Sequence, residues 1–271
     1  MGQIKKIDLV CDLIYQASKI SKKSFRALEE KDISAKEGFD LVTKVDQDSE
    51  SFLKEGLYQI DEKAGFLGEE SGKQDSLDSD KIWIVDPIDG TRNFVQGLPF
   101  FSISVALASK DLKKIYLGVI YDVIHDEMFI AEKGMGSYLK QGGKLIQMQV
   151  SEKKELEGSM IATGFPHKEK DRIKLFSKQF EALFNKSGGM RRMGSAALDL
   201  AYTACGRFDC FWEGGLSVWD IAAGVLIVNE AGGKVSDFHG EDSFMECGDI
   251  VASNSYFHEE LIAEIRIDEN G

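Results

Sequence analysis

Trp83-Ile84-Val85-Asp86-Pro87-Ile88-Asp89-Gly90-Thr91 sets an apolar run directly against two carboxylates and a glycine. Together with Ile82, the run predicts a short buried strand, so Asp86 is expected where that strand ends. Pro87 stiffens the turn, and Gly90 lets a ligand come close to the backbone. Two carboxylates held this near each other repel unless a cation lies between them. Thr91 adds a hydroxyl, and the N–H groups after Asp89 suit a phosphate, as helix N-termini do. Taken alone, the stretch also fits an Asp-Pro turn with solvated acids.

The hydrophobic period marks out what lies on either side. Toward the N-terminus, Phe66-Leu67 predicts another short strand. Ile7, Val10, Ile14 and Ala17 recur at helical spacing and predict an amphipathic opening helix. A second helix is expected after Val45, with Phe52, Leu53 and Leu57 turned inward, and the polar stretch 29–39 between the two reads as a loop or hairpin. Toward the C-terminus, residues 102–108, 115–121 and 128–131 continue the run of strands. That run argues for a mostly antiparallel sheet flanked by the opening helices.

After about Val150 the pattern alternates. Strands are expected at 160–163, around Met190 and at 208–212, with helices at 172–184, 196–204 and 221–231. Such alternation argues for a second, α/β half. The expected fold is therefore mixed α/β (α+β), in two tightly packed halves, residues 1–149 and 150–271. Neither a linker nor an internal repeat is visible.

Composition narrows the function. The formal net charge of -13 makes the surface as a whole repel polyanions, so a broad basic face for nucleic acid is excluded and no direct nucleic-acid partner is expected. An acidic enzyme acting on an anion needs bound cations to reverse the sign locally. Cys11, Cys205, Cys210 and Cys247 lack Cys-x-x-Cys spacing and read as buried free thiols rather than zinc ligands. His125, His167, His239 and His258 are scattered. The first eight residues are polar and no apolar run approaches the roughly 18 residues of a membrane span. A cytoplasmic protein with no membrane partner is expected. The chain carries neither a Gly-x-Ser-x-Gly elbow nor a Gly-Lys-Ser/Thr phosphate loop, so no side-chain nucleophile stands out.

Two further acidic motifs occur: Glu69-Glu70 after Gly68, and Trp219-Asp220 opening the helix near Ile221. Separately, the first suits a solvated surface pair and the second a helix cap. Taken together, Glu69, Asp86, Asp89 and Asp220 offer hard oxygen donors that select magnesium, manganese or calcium over zinc.

Residues 66–71 (FLGEES), 83–94 (WIVDPIDGTRNF) and 218–224 (VWDIAAG) closely resemble the inositol monophosphatase family of magnesium-dependent, lithium-sensitive sugar phosphatases, as do 40–46 (DLVTKVD) and 194–197 (GSAA). The resemblance implies a five-layer αβαβα sandwich with the site between the two halves. It implies that Glu69, Asp86, the Ile88 carbonyl, Asp89 and Asp220 bind two or three magnesium ions, with manganese able to substitute and lithium and calcium inhibitory. Asp46 and Thr91 resemble the pair that orients and deprotonates the attacking water, with Glu69 beside them. Gly90 and Thr91 resemble the backbone phosphate cradle. Gly194, Ala196 and Glu213, with Asp89 and Asp220, match positions on the substrate side. From the local sequence, Asp46 also reads as a helix N-cap before Gln47, and Glu213 as a strand-end surface acid.

The same resemblance implies a homodimer and a small phosphorylated polyol or sugar as substrate. Arg92-Asn93-Phe94 follows Asp-Gly-Thr where the nucleotide-hydrolysing branch usually has Lys-Glu-Phe, which favours inositol 1-phosphate. Fructose 1,6-bisphosphate, histidinol phosphate (toward which Arg92 points) and 3′(2′),5′-bisphosphate nucleotides remain alternatives. So does a regulatory binding protein built on the same fold.

Overall fold

The computed structural model describes residues 5–29, 32–35, 41–74, 79–166 and 170–266. Helix α1 (Lys6–Ser24) buries Val10, Ile14 and Ala17, the expected stripe. Two short strands, β1 (Ile33–Ala35) and β2 (Leu41–Thr43), pair antiparallel, so the hairpin reading fits where residues are described. Asp40, which opens the DLVTKVD motif, lies outside the described residues, as does His167. Helix α2 (Lys44–Ile60) buries positions 45, 49, 53 and 57, together with 46 and 50. Phe52, expected inward, is 39% exposed. It lies one residue off that i, i+4 stripe, and at 100° per residue one step turns a side chain out of the seam.

An eight-stranded sheet follows. Its strands are β3 (Gly65–Gly68), β4 (Gly72–Gln74), β5 (Lys81–Asp89), β6 (Ser102–Ser109), β7 (Ile115–Asp122), β8 (Glu127–Glu132), β9 (Ser137–Gln141) and β10 (Lys144–Gln147). Spatially they run β10-β9-β8-β7-β6-β5-β3-β4, all antiparallel except the β3–β5 pair. One correction concerns the decisive stretch. Strand β5 does not end at Asp86 but continues through Pro87 to Asp89. Asp86 faces Ser104 and Asp89 faces Ser102, so two residues of β5 bulge against one of β6. Proline has no N–H to give a ladder, and a bulge is where a sheet tolerates it. The bulge re-aims the strand so that both aspartates end up on the site.

The second sheet is built from β11 (Ser159–Thr163), β12 (Ser187–Arg191), β13 (Cys210–Glu213), β14 (Lys234–Ser236) and β15 (Ile250–Ser253), in the order β12-β11-β13-β15-β14. Strands β12, β11 and β13 are parallel, and β15 runs against both its neighbours. Between the strands run α3 (Thr91–Val95), α4 (Ile173–Lys186), α5 (Ala196–Ala204), α6 (Val218–Glu230) and α7 (Phe244–Cys247), and α8 (His258–Ile265) follows β15.

Packing produces five layers. Helices α1 and α2 cover one face of the large sheet, α5 and α6 fill the middle, and α4 and α8 cover the far face of the small sheet. Three cores match this stacking. One joins α1 and α2 to Trp83, Phe101 and Tyr121, and a second sets α5 and α6 between Ile84 of β5 and Phe211 of β13. The third joins α4 and α8 to Trp212 and Val251. The central helices are apolar nearly all round, as their wholly interior position requires. Approach is close there: a Cβ on Gly118 of β7 would lie 2.7 Å from the Ala223 carbonyl of α6. All four cysteines are free. Cys11 and Cys210 are buried and Cys205 partly so, whereas Cys247, expected inside, is exposed at the end of the surface helix α7.

Candidate metal centre and active site

The ends of several strands and helices converge on one crevice of about 170 Å³. Every position expected from the sequence lines it except Asp46, which is fully buried beneath it. Glu69 follows β3, Asp86 and Asp89 flank the bulge at the end of β5, and Thr91 opens α3. Asp220 opens α6, and Glu213 ends β13. Carboxylate oxygens of Asp86, Asp89 and Asp220 lie within 4.8 Å of one another. Glu69 lies outside that tight group but lines the same crevice and presses electrostatically on Asp86, Asp89 and Asp46.

Burial and mutual repulsion shape the titration. Burial, then the charges of Glu69, Asp89, Asp220 and Asp46, push Asp86 well above the usual carboxylate range. Burial lifts Asp89 to about 6, against the Ser195 hydroxyl and the Ala197 N–H that favour its charged form. Asp46 is likewise raised to about 6, chiefly by burial, with Thr43 opposing and Glu69 assisting. Acids packed this closely and largely buried ionise together only when a cation neutralises them. The donors are all hard oxygens, and among the described residues no histidine or cysteine lines the crevice, so the set fits a magnesium-type ion.

Local structure explains how each acid is held. Thr43, not Asp46, is the N-cap of α2. Asp46 stands three residues on in a capping box, accepting from the Thr43 N–H at 2.8 Å and its hydroxyl at 2.5 Å. Its other oxygen faces the Thr91 hydroxyl at 3.3 Å, and that hydroxyl also lies 3.0 Å from the Ile88 carbonyl. Asp220 combines the two roles that its sequence context left open. It closes a capping box by accepting from the Ser217 N–H at 2.6 Å, and its carboxylate also belongs to the cluster. Gly90, the α3 N-cap, has φ +98°, and a Cβ there would sit 3.1 Å from the carbonyl oxygens of Gly194 and Phe100. Only glycine combines that backbone with that approach.

Several supporting residues escaped the sequence reading. The Ser195 hydroxyl donates to Asp89, as does the Ala197 N–H at 2.8 Å, so the N-terminus of α5 orients this acid. Asn93 donates to the carbonyls of Phe100 at 2.7 Å and Met193 at 2.9 Å, tying α3 to the segment before α5. A serine at a helix start does carry an N-cap signal, but nothing local reveals that its partner lies more than a hundred residues away. Arg192 lines the crevice mouth and lies over the Phe165 ring, 5.4 Å from its centre. Glu213 lies against Gly164, where an added Cβ would collide with its carboxylate.

Residues 5–269 match the inositol monophosphatase family. The chain belongs to that family. It is a family of magnesium-dependent phosphatases, and the acidic cluster described above suits its metal. Among relatives, the Nus factor SuhB of Pseudomonas aeruginosa PAO1 is 39% identical over 249 residues, covering 89% of this chain and 90% of its own. The inositol-1-monophosphatase of Rhizobium meliloti is 36% identical over 261 residues, 96% of each chain. The crystal structure of the extragenic suppressor protein suhB from Bartonella henselae superposes with a TM-score of 0.89 at 36% identity, covering 96% of this chain and 98% of that one. The inositol monophosphatase structure from Anabaena (Nostoc) sp. PCC 7120 has the same fold, with a TM-score of 0.84 at 32% identity, covering 96% of this chain and 94% of that one. Among the described residues no helix is long and apolar enough to cross a membrane.

Proposed function

We propose that this member of the family hydrolyses a small phosphate monoester of a polyol, with inositol 1-phosphate the leading substrate. One observation carries the reading: acids spread from Asp46 to Asp220 meet around a single crevice, three of them within 4.8 Å of one another. Glu69, Asp86, the Ile88 carbonyl, Asp89 and Asp220 would hold two or three magnesium ions. When bound, magnesium polarises the phosphoryl group and neutralises the charge that develops during its transfer.

The chain's own groups do the rest. Thr91, hydrogen-bonded toward Asp46, orients the attacking water, and Asp46 accepts its proton. Backbone N–H groups at Gly90 and Thr91 receive phosphate oxygens. Glu213 accepts hydrogen bonds from substrate hydroxyls beside Gly194 and Ala196, which suits a polyol better than an adenine. Arg92 and Arg192 at the mouth keep a second anionic group on the substrate open. The same reading includes substitution by manganese, inhibition by lithium and calcium, and a homodimer.

The test is phosphate release from a panel of monoesters compared by kcat/KM, with magnesium and with EDTA. Inositol 1-phosphate is expected to lead, and EDTA to abolish turnover. Asp89→Asn is expected to abolish activity with an unchanged circular-dichroism spectrum; near-wild-type turnover in that variant rejects the assignment. A second reading is favoured by the name Nus factor SuhB borne by the Pseudomonas relative: a regulatory role through a protein partner. With a net charge of -13, such a role runs through protein rather than RNA contacts. Absence of turnover on every ester, with magnesium bound, would favour it.

A further inference from the structure

Glu50 stands one turn after Asp46 on the buried side of α2 and is 3% exposed. A buried carboxylate is costly unless strongly hydrogen-bonded. Among the described residues its partners are two consecutive backbone groups. The Glu70 N–H donates to one oxygen at 2.7 Å and the Ser71 N–H to the other at 2.8 Å. On the other flank of Glu69 the fit is equally close, since a Cβ on Gly68 would lie 2.5 Å from the Glu50 carboxyl carbon and one of its oxygens. Glu69 itself donates its N–H to the Val85 carbonyl of β5 at 3.2 Å. The backbone bearing Glu69 is thus held by β5 on one side and by the Glu50 carboxylate on the other.

The structure assigns Glu50 as the positioning residue for Glu69: its carboxylate clamps the turn after β3 and so fixes where that acid stands in the crevice. This rests on the magnesium reading given above. The chemistry calls for a carboxylate, because two successive N–H groups need two acceptors. Glutamine supplies one acceptor and turns an NH₂ toward the second N–H. One helix consequently sets two groups from opposite sides of the site. Its first turn presents Asp46 to Thr91, and its second turn holds the backbone of Glu69, so their separation depends on a single rigid element. Groups behind a metal ligand that fix its orientation change metal affinity by about 10–100-fold when replaced.

The experiment is calorimetric titration of the metal-free full chain with magnesium chloride, for wild type and Glu50→Gln, with melting in EDTA measured alongside. We expect Glu50→Gln to remain folded at the titration temperature, to bind magnesium about 10–100-fold more weakly, and to regain most of its kcat at high magnesium. Glu50→Asp, which keeps the charge but shortens the reach, should show the same weakening and replaces Glu50→Gln if that variant does not fold. Wild-type magnesium affinity in a folded variant with a lowered Tm makes Glu50 merely structural and overturns the assignment. A wild-type chain that binds no magnesium overturns the metal reading itself, and this inference with it.

Discussion

Asp199 is 1% exposed, one turn beyond Ala196, and among the described residues neither of its carboxyl oxygens accepts a hydrogen bond. Burial, then the charges of Glu213 and Asp89, push its pKa well above the usual range, with Arg192 opposing. A raised native pKa means that the folded chain holds this proton after the unfolded chain has released it. Stability therefore falls as pH rises from about 4, the unfolded value, toward the folded one, and the loss is then constant. Asp199→Asn removes that loss. The variant should match wild type near pH 4 and melt a few degrees higher at pH 8, with about 2–4 °C for each kcal/mol in a chain of this size. Equal Tm gains at both pH values would refute the account. From the sequence, Asp199 reads only as an acid in the first turns of a helix, a common complement to the dipole. Its isolation is a product of the central layer, which no local pattern announces. Asp86, Asp89 and Asp220 were legible because each follows a hydrophobic frame and offers the same hard donor. Ser195, Asn93 and Glu50 were not, since their partners lie far along the chain.

At the scale of elements, legibility followed burial. The amphipathic stripe of α1 and the long apolar runs of α5 and α6 declare themselves. The edge strand β10 does not, because every residue of it is exposed and no alternation marks it. Helix α8 and the last two strands also lacked a reading. Strand β5 shows the opposite failure: the proline suggested an end where the sheet has a bulge. One close helix-to-sheet approach, Gly118 against the Ala223 carbonyl, gives an element-scale prediction. Gly118→Ala forces α6 off β7, at a cost of about 1–3 kcal/mol, measurable by urea unfolding. Since Asp220 opens α6, the same shift should weaken magnesium binding; unchanged stability would show that the helix moves freely.

For the whole molecule, the -13 charge and the acidic crevice point the same way: the apo chain strains against its own carboxylates. A metal that binds only the folded state stabilises it by about 2.7 kcal/mol at a hundred times its dissociation constant. Magnesium should therefore raise Tm by several degrees in a scan, and Asp89→Asn should abolish most of the rise. No shift at saturating metal in the wild type would contradict the cluster's role. The layered arrangement itself was reachable from the sequence only through resemblance, because period and spacing reveal strands and helices but not how two sheets stack on a shared helix pair.

The acids gather from α2, from the large sheet and from the first turn of α6 in the buried middle layer. A chain still emerging from the ribosome, or one cut before α6, owns Glu69, Asp86 and Asp89 on the large sheet but lacks Asp220 and cannot complete the cluster. Catalysis would then switch on only as the final layers close, making activity an all-or-none report of finished folding.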